Sequence, residues 1–135
     1  MITTSRIARR VAVVGAAAVL AGGFGMSTAS AGVQSSGGGC TGYVSVGYGL
    51  SINSCISASS GTVFPDGYIS GSASNCTIYV DLIKNGSVVS TRTGSCTPGH
   101  INGGPVSGGG TYFTGIYAVV NGNYTSEIIS PNEYN

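Results

Sequence analysis

Few side chains in this 135-residue chain could take part in chemistry. There is one histidine, His100, and there are four carboxylates: Asp66, Asp81, Glu127 and Glu133. A hydrolase built on His100 would need a nucleophile and an orienting carboxylate beside it. Serine and threonine are plentiful, but no nucleophile-elbow motif is present. His100 falls in Pro98-Gly99-His100-Ile101-Asn102-Gly103-Gly104, which reads as a surface loop. A glycosidase would need two carboxylates facing each other across a cleft. Asp66 lies in Pro65-Asp66-Gly67, a turn signature, and Asp81 lies mid-strand on the face opposite Ile78, Val80 and Leu82. All four carboxylates are therefore expected in solvated or turn positions. The cysteines show no C-x-x-C pair for zinc, and the carboxylates are too scattered for calcium. The expectation is a non-enzymatic protein with no catalytic residue, no metal and no cofactor.

The start of the chain reads as an export signal. A basic stretch with Arg6, Arg9 and Arg10 precedes an apolar run from Val11 to Met26, and Ala29-Ser30-Ala31 has the small-x-small pattern of a cleavage site. The run is broken by glycines and is shorter than the roughly 20 residues a membrane span needs. Residues 1–31 are thus expected to be removed, with secretion as the destination and no membrane attachment afterwards. What remains has Lys84 and Arg92 against four acidic side chains, a net charge of −2. A nucleic-acid binder is excluded, because little is left to neutralise phosphates.

All four cysteines, Cys40, Cys55, Cys76 and Cys96, follow this segment, and an even count in a short exported chain implies two disulfides. Three pairings are open. Cys40–Cys55 with Cys76–Cys96 is favoured, because each pair brackets a segment expected to fold back on itself. The Cys76–Cys96 hairpin turns at Asn85-Gly86 and puts Cys76 opposite Ser95, so that a bulge or frayed end would let the sulfurs meet.

The elements that must position these residues are strands. Gly32 to Gly39 is a Gly/Ser-rich arm expected to be flexible, and residues 40–135 form the domain. Val44, Val46, Tyr48, Leu50 and Ile52 alternate with small polar residues at period two. A second hairpin is expected about Asn121-Gly122, and a long turn-rich connection runs from Thr97 to Gly110. No segment has a helical apolar stripe. The pattern predicts an all-β, antiparallel, immunoglobulin-like sandwich with two disulfides, and Gly110-Thr111-Tyr112 suits a tyrosine corner. Eight tyrosines and no tryptophan are the unusual feature. Tyr79, on the Thr77/Asp81 face, and Tyr124 are candidates for partner contact.

The Ala29-Ser30-Ala31 site, the Gly-rich arm, the four cysteines, Asn75-Cys76-Thr77-Ile78-Tyr79-Val80 and the Gly110-Thr111-Tyr112-Phe113 strand resemble those of small secreted β-sandwich proteins of actinomycetes. Within that group the chain is similar to the adaptor subunits of umbrella-shaped antibacterial toxin particles. The resemblance implies an adaptor that bridges subunits of a hetero-oligomeric assembly of secreted proteins, with the arm residues Gly32, Val33 and Gln34 docking into one partner. A secreted inhibitor of a foreign hydrolase and a small carbohydrate-binding module are the alternatives.

Overall fold

Alternating apolar and small polar residues, punctuated by glycine, fold into strands throughout. The computed structural model describes residues 36–135. The strands are β1 (Ser36–Gly37), β2 (Gly39–Cys40), β3 (Val44–Gly47), β4 (Leu50–Ser59), β5 (Thr62–Ser70), β6 (Cys76–Lys84), β7 (Ser87–Ser95), β8 (Gly99–Asn102), β9 (Val106–Ser107), β10 (Thr111–Val120), β11 (Asn123–Tyr124), β12 (Ile128–Ile129) and β13 (Glu133–Tyr134). The front sheet runs β1-β13-β10-β6-β7, with β11 and β12 also pairing β10. The back sheet runs β2-β4-β5-β8, with β3 on β4 and β9 on β5. Thus β4, β5 and β8 occupy the A, B and E positions of an immunoglobulin-like sandwich. Strands β6, β10 and β13 occupy C, F and G, and β7 extends that sheet in the manner of C′.

Tyr112 behaves as the tyrosine corner of such a fold. It stands near the start of the F-like strand, is fully buried, and donates from its hydroxyl to the Gly108 carbonyl at 2.7 Å. Tyr112→Phe is expected to lower stability by about 1 kcal/mol, since the Gly108 carbonyl loses one of its two donors and keeps Asn135 Nδ2 at 2.8 Å. Urea denaturation measures this, and the circular dichroism spectrum should stay unchanged.

Both Asn-Gly pairs turn hairpins. Asn85 and Gly86 have φ of 47° and 85°, and Asn121 and Gly122 have 49° and 78°. These positive angles match the right-handed twist of the flanking strands. In the first hairpin Ile83 pairs Val88 but Leu82 pairs Ser90, so Val89 is an extra, bulged residue. The bulge moves the register by one, Thr77 rather than Cys76 meets Ser95, and Cys76 bonds Cys96 with Cα atoms 5.7 Å apart. The other disulfide joins Cys40 to Cys55, directly opposite each other on β2 and β4 with Cα atoms 4.1 Å apart. Formed disulfides belong to an oxidising compartment.

Three expectations are corrected. Pro65-Asp66-Gly67 is no turn but the middle of β5. Pro65 falls in the gap between the residues paired to β8 and those paired to β9, where a missing N–H interrupts no continuous ladder. Gly67 is there for close approach, because a Cβ would lie 2.5 Å from both the Asn53 carbonyl oxygen and Ile116 Cδ1. The connection from Thr97 to Gly110 contains β8 and β9. The Gly/Ser-rich arm is paired from Ser36 onward, first to β13 and then to β4, while residues 32–35 lie outside the described residues.

The core has two apolar clusters. One gathers Ile52, Ile69, Ile78, Val80 and Ile116, and the other gathers Ile56, Val63, Leu82 and Tyr112. Buried Ser54 and Thr114 stand at the boundary, on β4 and β10. Ser54 donates from its hydroxyl to the Thr114 carbonyl at 2.9 Å, and the Thr114 N–H donates to Ser130 Oγ at 2.9 Å. These bonds satisfy the Ser54 hydroxyl and the Thr114 backbone, while the buried Thr114 Oγ1 has no hydrogen-bond partner.

Candidate binding faces

Period two sends Ile78, Val80 and Leu82 of β6 inward, so Thr77, Tyr79, Asp81 and Ile83 point outward from the front sheet. On β10 the outward set is Thr111, Phe113, Gly115, Tyr117 and Val119. The register sets Tyr79 opposite Tyr117, Asp81 opposite Gly115, and Ile83 opposite Phe113. Tyr79 and Tyr117 stack, with centroids 5.0 Å apart and planes 3° from parallel. Tyr124, paired beyond Val119 on β11 and 49% exposed, tilts its ring 6.1 Å from Tyr117. Three rings thus form one ladder across β6, β10 and β11.

Two carboxylates border the ladder. Asp81 accepts a hydrogen bond from the Thr91 hydroxyl at 2.6 Å and is buried, contrary to the solvated position expected. Glu127 lays Oε1 over Gly115, where a Cβ would collide with it. Glycine at 115 therefore makes room for a second acid beside Asp81's strand position. Lys84 Nζ is 5.5 Å from the Tyr112 ring, and Arg92 Nε sits near Gly104. The outward side of the front sheet presents half-buried and exposed tyrosine rings, while Ile83, Phe113 and Asp81 on the same side are buried.

Of the expected contact residues, the structure brings Tyr79 and Tyr124 into one cluster through Tyr117, which the sequence reading did not single out. Only the β6–β10 register reveals it, and that pairing is long-range. Tyr79 is half-buried in its stack rather than freely exposed. Gly32, Val33 and Gln34 lie outside the described residues.

The outward side of the back sheet has its own cluster. Phe64, Asp66 and Tyr68 project from β5, and Tyr68 pairs His100 of β8 in register. The rings of Tyr68 and His100 are 4.9 Å apart, and His100 Nε2 is 3.0 Å from Asp66 Oδ2. This is the histidine–carboxylate half of a triad. Among the described residues no serine or threonine hydroxyl is hydrogen-bonded to the ring.

Glu133, also expected in solvent, is only 3% exposed. Its β13 pairs Tyr112 on the inward side of β10, and burial pushes its carboxyl above the ordinary value of 4.5. At low pH both folded and unfolded chains hold this proton and no penalty applies. As pH rises past 4.5 the unfolded chain ionises first, and stability falls until the folded group ionises too. Glu133→Gln is expected to remove that slope and to be the more stable of the two proteins at neutral pH. Denaturation midpoints across the acid-to-neutral range test it, and parallel curves for both proteins would contradict it.

Among the described residues no helix is long and apolar enough to cross a membrane. No protein-family model and no curated protein matches the chain. Among solved structures, the crystal structure of chicken MD-1 complexed with lipid IVa is similar at 18% identity, over 69% of this chain and 95% of that chain, with a TM-score of 0.30. So loose a superposition transfers neither ligand nor activity.

Proposed function

We propose that the chain is a secreted, non-enzymatic binding module that works as an adaptor between other secreted proteins. The observation that carries this reading is the Tyr79–Tyr117–Tyr124 ladder on the outward side of the front sheet, with Tyr124 49% exposed at its end. Tyrosine supplies wide, stiff contact area with a polar tip, and is enriched where proteins meet. A second aromatic cluster, Phe64 and Tyr68, points outward from the opposite sheet. One module with contact surfaces on both sides of a sandwich can hold two partners at once, which is what bridging requires. The resemblance noted above adds the setting, an extracellular antibacterial toxin assembly.

Hydrogen exchange on the complex purified from native culture medium tests the assignment. Amides of β6 and β10 around Tyr79 and Tyr117 should gain protection relative to the isolated chain. Protection confined to the hairpin turns, with these strands unchanged, would contradict it.

A further inference from the structure

A separate feature lies at the sandwich edge, independent of the tyrosine ladder. The chain enters as a glycine strap. Ser36 and Gly37 pair with β13 of the front sheet, and Gly39 and Cys40 pair with β4 of the back sheet. Gly38 crosses between them with φ of 78°, its N–H donating to the Asn132 carbonyl at 2.7 Å. A Cβ on Gly38 would collide with Glu133 Oε2 and come within 2.9 Å of the Ile56 carbonyl oxygen. The strap therefore covers Glu133 with backbone alone.

Beside the strap opens a pocket of about 390 Å³, lined among others by Glu133, Asp66, Tyr68, Ser57 and the Cys40–Cys55 disulfide. That volume falls in the range of small-ligand sites. No lysine or arginine lines it. Glu133 is nearly inaccessible, and its Oε1 has no hydrogen-bond partner. A buried carboxyl oxygen left without a donor is rare, because the desolvation is uncompensated. Asp66 brings a second carboxylate, opposite Cys55 in register with one oxygen engaged by His100 Nε2 at 3.0 Å, and Tyr68, tilted against the His100 ring, offers a ring face that attracts cations.

We infer that this pocket binds an organic cation, a guanidinium or primary ammonium group, with Glu133 and Asp66 as its carboxylate partners and Tyr68 against its face. The group reaches the pocket either on a small free amine or as an arginine or lysine side chain of a bound protein. The strap backbone lies over Glu133, so the cation approaches from the pocket side, where Glu133 is among the lining residues.

The test is a titration of the isotope-labelled chain followed by amide shifts of Gly37, Gly39 and Tyr68. The probes are agmatine, the blocked peptide acetyl-Gly-Arg-Gly-amide, and its neutral citrulline counterpart. Both cations should saturate, and the citrulline peptide should bind at least about tenfold more weakly. Glu133→Gln should weaken cation binding by about tenfold or more, and Asp66→Asn by a smaller factor. The tighter of the two cationic probes identifies the source of the group. Absence of saturable shifts with either cation, equal binding of the citrulline peptide, or unchanged binding by a folded Glu133→Gln protein would each overturn the assignment.

Discussion

Tyr117→Ala is expected to weaken partner binding by about thirtyfold or more while leaving the denaturation midpoint nearly unmoved. Tyr117 is the middle ring of three, stacked on Tyr79 at 5.0 Å and tilted against Tyr124 at 6.1 Å. Removing it takes away its own contact area and leaves both neighbours without the ring that orients them. Central, half-buried tyrosines of this kind dominate interface energies. The core is spared, because Tyr117 points outward while Ile116 and Ala118 on either side of it are the buried ones. Tyr124→Ala should have a smaller effect, since its ring touches the ladder from one end only. Titration calorimetry against the purified partner measures both. Equal affinity of wild type and Tyr117→Ala would move the interface off this face.

The second large effect concerns the fold. Replacing both Cys76 and Cys96 with alanine is expected to lower stability by about 2–5 kcal/mol. Their bond closes a loop with a sequence separation of 20 and ties the outer edge strand β7 to β6. The chain has 24 glycines, which lose more backbone entropy on folding than other residues, so a constraint on the unfolded state weighs heavily. Cys96 is also part of the larger apolar cluster, and truncation there removes packing as well as the crosslink. The Cys40–Cys55 pair has a shorter separation of 15 and lies on the outward side of the back sheet. Its removal should cost less and should be felt first at the glycine strap. Guanidinium denaturation of the two double variants ranks them, and an unmoved midpoint without Cys76–Cys96 would contradict the account of stability.

Local signals in the sequence carried far because the fold is made of hairpins. The Asn85-Gly86 and Asn121-Gly122 turns follow from residues whose backbone preferences leave little choice, and the favoured one of three open disulfide pairings rested on the hairpins expected around them. The misreadings share a physical cause. Pro65-Asp66-Gly67 has turn composition, yet Gly67 is needed for contact with Ile116 and Asn53 across the sandwich. Tertiary packing, which no local pattern shows, decided it. The burial of Glu133 escaped notice because β13 is two residues long and has no alternation to read. The His100–Asp66 contact joins residues 34 apart, and the Tyr79–Tyr117 stack depends on β6 lying beside β10. Candidate surfaces on a sandwich are assembled by strand order, so single residues such as Tyr79 and Tyr124 were visible in the sequence and their grouping was not.

The measurement closest to the central claim is the size of the protein in untreated native culture medium, by gel filtration with mass spectrometry of the eluting fraction. An adaptor should leave the column in a complex holding other secreted chains in fixed ratio, and Tyr117→Ala should shift it toward the free form. Elution of the wild-type chain solely as a monomer, with nothing accompanying it, would contradict the account.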